Sequence, residues 1–404
     1  MRDHGLIESP AALQEFLDAI AGTDWIALDT EFMREKTYFP QLCLVQAATL
    51  DQIACIDPLK VDVRLLEPLL RDPAVTKVFH AASQDLELFY REFGQVPAPV
   101  FDTQIAASML GYGEQVGYAN LVKAMLDREL DKSQTRTDWS RRPLDERQVQ
   151  YAADDVRYLA TLFNRLLHEL DRSDRMQWLR PEMEALSNPA LYEVDPETAW
   201  LRVSGVKRLK PRQRAVLKTV AAWRERAAQD SNRPRRWILS DDLLLDIARH
   251  TPDSIQALRG LRQFPAGMKT PRMESLLEAI QAGLALPREQ WPELPQRRRL
   301  SERDEVLADV GMALLRDCAR RHQISPSAIA QRKDVIELLT SDGTSGRLAS
   351  GWRHEIAGQV IADWFSGGLR IGAGTESLSL AAATASADTP PGRATEETPH
   401  EGAE

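Results

Sequence analysis

Trp25-Ile-Ala-Leu-Asp29-Thr-Glu31-Phe32 reads as a β-strand that carries two acids. Side chains alternate along a strand, so Asp29 and Glu31, two apart, project from one face. Acids are poor strand formers, and two on one face of an apolar strand cost stability. A divalent cation between them offsets that cost. An exposed strand face is the ordinary alternative.

Working outward, Leu42-Cys-Leu-Val-Gln-Ala-Ala-Thr49 and Gln52-Ile-Ala-Cys-Ile-Asp57 flank a break at Leu50-Asp51, the pattern of a hairpin. Val75-Thr-Lys-Val-Phe-His80 is a further short strand. Ser83 to Phe93 then has helical periodicity, with Leu86, Phe89, Tyr90 and Phe93 on its apolar side. Val100-Phe101 ends another strand, and Asp102 or Thr103 suits the cap of the next helix. A long helix is expected from about Leu144 to Leu170. An early hairpin followed by strand–helix alternation predicts an α/β domain with a mixed sheet.

After Pro181 strand patterns become scarce. Periodicity is helical from Lys210 to Leu286 and again from Glu302 to Trp364, with a Pro-rich stretch, Leu286-Pro-Arg-Glu-Gln-Trp-Pro-Glu-Leu-Pro295, between them. Two helical bundles of similar length suggest a diverged repeat. From about Ala373 the chain is rich in Ala, Thr, Ser, Pro, Gly and Glu and lacks aromatic residues, so a disordered tail is expected. The expected organisation is an α/β domain over 1–190, helical domains over 207–288 and 297–370, and a tail over 373–404.

The formal net charge is -9, but its distribution says more. Residues 1–200 carry 20 Lys and Arg against 34 Asp and Glu, whereas residues 201–300 carry 21 against 10. An acidic first half suits metal ions and a basic middle suits a polyanion. Three scattered cysteines, Cys43, Cys55 and Cys318, show no CxxC spacing, which argues against a disulfide framework or zinc site and for a reducing, cytoplasmic compartment. No apolar run is long enough for a membrane span, and the N-terminal residues do not read as a signal peptide.

Two further acids join the first pair. Tyr151 and Asp155, in Gln148-Val-Gln-Tyr-Ala-Ala-Asp-Asp-Val156, are four apart and share a helix face. Asp154 points about 100° away and so faces elsewhere. Asp85 lies near the start of a helix in His80-Ala-Ala-Ser-Gln-Asp-Leu-Glu87, where any acid is favoured by the helix N-terminus.

Taken together, DxE on a strand, Asp on a helix and YxxxD on a late helix resemble the tyrosine branch of the DEDD exonuclease superfamily. His80-Ala-Ala-Ser-Gln-Asp-Leu-Glu87, Phe101-Asp-Thr-Gln-Ile-Ala-Ala107, Leu130-Asp-Lys-Ser-Gln-Thr-Arg-Thr-Asp-Trp-Ser-Arg-Arg-Pro-Leu144 and the Tyr151 motif look like those of the ribonuclease D family. The two bundles resemble HRDC domains, the second more weakly, and the resemblance covers roughly residues 1–370. It implies an RNase H-like, DnaQ-like α/β fold and a 3′→5′ exoribonuclease acting on transfer-RNA precursors and other small structured RNAs.

The resemblance also implies two Mg²⁺ or Mn²⁺ ions held by Asp29, Glu31, Asp85 and Asp155, with Asp29 bridging them. Tyr151 is assigned to orient the attacking water, because a phenol with its ordinary pKa near 10 is a poor base at neutral pH. For RNA contacts the candidates are Phe32, His80, Gln84, Lys132 and Arg136 near the motifs. Lys207, Arg208, Lys210 and Arg212 at the entry to the first bundle join them. Phe89 and Trp139 are weighed as stacking residues against core packing, and His80 against a supporting role. No protein partner is indicated and a monomer is expected. The competing functions are a DNA 3′→5′ exonuclease and a non-catalytic nucleic-acid-binding protein built on the helical bundles; the complete acid set speaks against the second.

Overall fold

Six strands in the first 102 residues form one sheet: β1 (Arg2–Ile7), β2 (Trp25–Met33), β3 (Gln41–Ala48), β4 (Gln52–Ile56), β5 (Thr76–Phe79) and β6 (Val100–Asp102). This computed structural model describes residues 1–131, 134, 137–295, 300–341, 343–375 and 377–383. The spatial order is β1-β4-β3-β2-β5-β6. β2, β3 and β4 form an antiparallel meander, while β1 joins β4, and β5 and β6 extend from β2, in parallel. The mixed sheet expected from the sequence is present. Strand β1 has no mark in the sequence pattern, because its parallel partner β4 lies about 50 residues away and nothing local signals the pairing.

Helices α1 (Pro10–Ala19), α2 (Ser83–Phe93), α3 (Thr103–Met109), α4 (Tyr118–Leu126) and α5 (Glu146–Arg172) belong to the same domain. The domain's apolar core runs from Ile7 and Phe16 through Leu28, Phe79 and Phe89. Helix α2 has the bounds its periodicity predicts, and Gly94 ends it in a left-handed conformation at φ 69. Asp102 is the N-cap of α3, accepting from the Gln104 N–H at 2.8 Å. The same carboxylate accepts from the Ala81 and Ala82 N–H groups, so it ties the start of α2 to β6. Helix α5 opens with a capping box between Asp145 and Gln148.

The first helical bundle contains α6 (Pro211–Asp230), α7 (Asp241–His250) and α8 (Thr270–Ala285). Its core includes Leu217, Val220, Leu244, Ile247, Leu276 and Ile280. Helices α6 and α8 pack so closely that a Cβ at Gly283 would lie 2.6 Å from the Val216 Cα. The Thr219 hydroxyl crosses the same interface and donates to the Ala279 carbonyl at 2.7 Å. Tyr38, from the loop after β2, is part of this bundle's core.

The chain divides into two compact units, Met1–Arg299 and Leu300–Glu404. The second contains α9 (Glu302–Arg321), α10 (Arg332–Thr340) and a hairpin of β7 (Leu369–Ala373) with β8 (Leu378–Ala382). That hairpin corrects the expectation of a disordered tail from 373. Asp317 on α9 accepts from the Leu378 N–H, and Arg321 donates to the Leu378 carbonyl at 2.6 Å. These non-local bonds order a segment whose composition alone has too little to bury. The rest of the expected tail, 384–404, lies outside the described residues.

Candidate active site

Strand β2 is central in the sheet, and its register places Asp29 opposite Gln46 and Glu31 opposite Leu44. The pairing shifts between Glu31 and Phe32, so a bulge follows the second acid directly. Helix α5 brings Asp155 to the same face. Asp29, Glu31 and Asp155 each offer a carboxylate oxygen within 4.8 Å of the others. Asp154 turns away and is occupied, accepting from Arg157 at 2.6 Å and Gln150 at 2.9 Å.

Asp85 stands outside that trio but is electrostatically joined to it. It is 7% exposed, in the first turn of α2, and accepts a 2.5 Å hydrogen bond from Thr30, the residue between Asp29 and Glu31. One short segment of β2 therefore presents two acids to α5 and one hydroxyl to α2.

The electrostatics describe a site loaded with negative charge. Burial, then repulsion from Asp155, raises the Asp29 carboxyl well above the usual carboxylate range, against the opposing Thr30 backbone N–H. Burial and repulsion from Asp29, Asp155 and Asp85 push Glu31 up to about 9. Burial and Asp154 push Asp155 up to about 7, opposed by a hydrogen bond from Tyr151. Asp85 is raised by burial and by Asp29, opposed by Thr30. Among the described residues, no cationic side chain offsets the charge on any of these four acids. Converging, partly desolvated carboxylates without a protein counter-charge fit hard divalent cations with oxygen ligands, and offer nothing to a zinc site of the usual His and Cys type.

Around the acids, packing takes up several of the candidate stacking residues. Trp139 is 3% exposed and lies 6.2 Å, centroid to centroid, from the Tyr151 ring. Phe89 is fully buried in the domain core, so neither aromatic is free to stack on a base. Phe32 is partly buried against the same core. His80 spends both ring nitrogens inside the protein, on the Thr103 hydroxyl and the Val116 carbonyl, each at 3.0 Å, so it supports the fold rather than facing RNA. Gln84 is exposed beside Asp85. Lys132 and Arg136 lie outside the described residues. Lys207, Arg208, Lys210 and Arg212 are all exposed at the entry to the first bundle.

Three contributors carry no signal in the sequence. The Tyr118 hydroxyl donates to the Asp155 backbone carbonyl and braces α5 at the acid. Arg142 donates to the fully buried Asp57 at 2.6 Å and to the Cys43 carbonyl at 2.7 Å, pinning the loop that carries Trp139. Gln46 is fully buried opposite Asp29, and its amide has no hydrogen-bond partner among the described residues. All three depend on neighbours distant in sequence, so no spacing marks them.

Known proteins match the chain along most of its length. Residues 6–171 match a 3′-5′ exonuclease family and residues 213–280 match the HRDC domain. Ribonuclease D of Sphingobium indicum is 42% identical over 91% of this chain and 96% of its own length. Ribonuclease D of Gluconacetobacter diazotrophicus is 38% identical over 92% and 95%. The crystal structure of Escherichia coli RNase D, described as an exoribonuclease involved in structured RNA processing, superposes with a TM-score of 0.76 at 32% identity, covering 91% of this chain and 99% of that one. With a nuclease sheet, a helical HRDC domain and relatives matched along nearly their whole length, this chain belongs to the ribonuclease D family and is a hydrolytic 3′→5′ exoribonuclease.

Proposed function

We propose that the chain removes nucleotides from the 3′ ends of transfer-RNA precursors and other small structured RNAs, releasing 5′-monophosphates, and that it works as a cytoplasmic monomer. The observation that carries the reading is the convergence of Asp29, Glu31 and Asp155 on one face of β2 and α5 without a protein counter-charge. The substrate class follows from what is said of the solved E. coli relative. Burial of all three cysteines without a disulfide suits a reducing compartment.

Asp29, Glu31 and Asp155 are the residues that would hold a divalent cation, with Asp85 supporting a second, Mg²⁺ or Mn²⁺ in each case. Bound there, two such ions supply charge stabilisation at both ends of an in-line displacement on phosphorus and make the attacking water acidic. The protein's share is orientation. Thr30 holds the Asp85 carboxylate and Tyr118 holds the backbone at Asp155. Tyr151 hydrogen-bonds Asp155 and orients the attacking water, its ring fixed by Trp139. Exposed Lys207, Arg208, Lys210 and Arg212 grip the body of the RNA while the nuclease domain trims its end. Residues 297–370 form a second, diverged HRDC-like domain.

The test is hydrolysis of a 3′-extended transfer RNA and a DNA of matched sequence with Mg²⁺ or Mn²⁺, repeated with Asp155→Asn and with a chelator. RNA shortening from the 3′ end that both treatments abolish is expected. Activity surviving both would remove the acid site from the mechanism, and preference for DNA would overturn the substrate.

A further inference from the structure

A cleft of about 470 Å³ lies where the loop leaving β2 meets the first helical bundle. Arg34 and Tyr38 line it from the nuclease side, and Arg202, Arg224, Arg236 and Trp237 from the bundle side. The lining holds five arginines, including Arg235, against the acids Glu35, Glu225 and Asp241. Much of that charge is satisfied within the fold. Arg34 pairs with Glu87 at 2.9 Å, Arg224 with Asp241 at 2.7 Å and Arg235 with Glu225 at 2.6 Å. Arg202 and Arg236 are exposed, and neither is in an ion pair among the described residues.

A further observation points to a ligand. Trp237 is 59% exposed on a short helical turn, Arg235–Ile238. A single exposed indole is ordinary on any surface. Beside guanidinium groups outside any ion pair at a cleft, however, it matches the way single strands are held: cations follow the phosphates and an aromatic face takes a base. Duplex RNA keeps its bases stacked and offers no free face. The cleft is also close to the acids. Arg34 follows Glu31 by three residues, at most about 11 Å of extended chain.

We propose that this cleft binds a single-stranded stretch of RNA a few nucleotides upstream of the 3′ end undergoing cleavage. Trp237 stacks on one base, and Arg202 and Arg236 neutralise backbone phosphates. The inference rests on the reading of the chain as an RNA exonuclease acting at Asp29, Glu31 and Asp155. It adds that substrates long enough to reach the seam are held better than very short ones.

The full-length chain tests this with two readouts. The first is binding of a fluorescent oligoadenylate of roughly ten nucleotides, followed by anisotropy in chelator so that cleavage plays no part. Trp237→Ala is expected to weaken binding about thirty-fold, a mid-range value for the removal of one base stack. Arg202→Ala combined with Arg236→Ala should reduce the slope of log affinity against log salt by about 1.4, two phosphates at about 0.7 each. The second readout is the ratio of kcat/KM for that oligomer to kcat/KM for a dinucleotide, which should fall in the same variants. Unchanged binding in both variants overturns the cleft. Equal losses on oligomer and dinucleotide also overturn it, because the residues would then act on the acid site itself. If the parent chain binds RNA but does not cleave it, the exonuclease reading fails, and the binding arm decides the cleft alone.

Discussion

The Tyr38 hydroxyl donates to Glu225, joining the loop that follows the acidic strand to the core of the first helical bundle. Glu225 is 1% exposed and also accepts from the Arg235 Nε at 2.6 Å. Asn232 of the bundle accepts from the Tyr38 and Phe39 N–H groups at 3.1 and 3.0 Å. The bundle therefore holds the loop that leaves Asp29 and Glu31. Glu225→Ala should destabilise the chain by about 2–3 kcal/mol, less than for a fully buried pair because Arg235 retains access to water. Tyr38→Phe should cost about 1 kcal/mol, since the arginine still satisfies the carboxylate. Urea denaturation gives the order directly, and a Glu225→Ala midpoint equal to the parent's would show that the latch carries no stability.

Asp154 and Asp155 are adjacent acids with opposite expectations. Asp155→Asn should lower kcat/KM about a thousand-fold, the equivalent of several kcal/mol of charge stabilisation. Asp154→Asn removes a partly exposed pair with Arg157 and should change activity by less than about two-fold. Comparable losses in the two variants, measured on one RNA, would undo the assignment of faces on α5.

Glu31 gives a pH signature. Its carboxyl is raised to about 9 in the fold, against an ordinary value near 4.5. Between those values the folded state holds a proton that the unfolded state has released, so stability falls as pH rises. In chelator, Glu31→Gln should therefore melt above the parent at pH about 8, by a few degrees, and the difference should close towards pH about 4. Added Mg²⁺ or Mn²⁺ should favour the parent and be bound more tightly as pH rises, because the ligands must lose protons. A melting difference independent of pH would show that Glu31 is not held protonated.

Gln46 faces Asp29 across the β2–β3 pairing with a buried amide that has no partner among the described residues. Gln46→Leu should stabilise the chain in chelator by about 1–2 kcal/mol, since it removes an unsatisfied polar group at similar volume. Its place beside the acids predicts that hydrolysis falls at the same time. Calorimetry and a steady-state assay on one preparation check both, and a destabilised variant would mean the amide has a partner.

The basic entry to the first bundle is read through salt. Charge reversal at Arg208, Lys210 and Arg212 should weaken RNA binding and flatten its salt dependence, by about 0.7 in slope for each phosphate no longer neutralised. Affinity and slope equal to the parent's would leave these residues as a solvated surface.

Short-range chemistry is fully legible in the chain. A spacing of two puts Asp29 and Glu31 on one strand face, and a spacing of four puts Tyr151 and Asp155 on one helix face, because backbone periodicity alone sets those directions. The bounds of α2 and the cap at Asp102 are equally local. What required the tertiary structure was every relationship whose partners lie far apart in the chain. Trp139 is buried beside Tyr151 of α5, Phe89 is buried against Phe79 of the sheet, and His80 gives both nitrogens to Thr103 and Val116. The pairing of β1 with β4 and the bonds from Asp317 and Arg321 to Leu378 follow the same rule. So does the seam at Tyr38 and Glu225, 187 residues apart, which places an arginine-lined cleft next to the strand that carries Asp29 and Glu31. Side-chain direction is a property of the local backbone, whereas burial and partnership are decided only when distant segments pack.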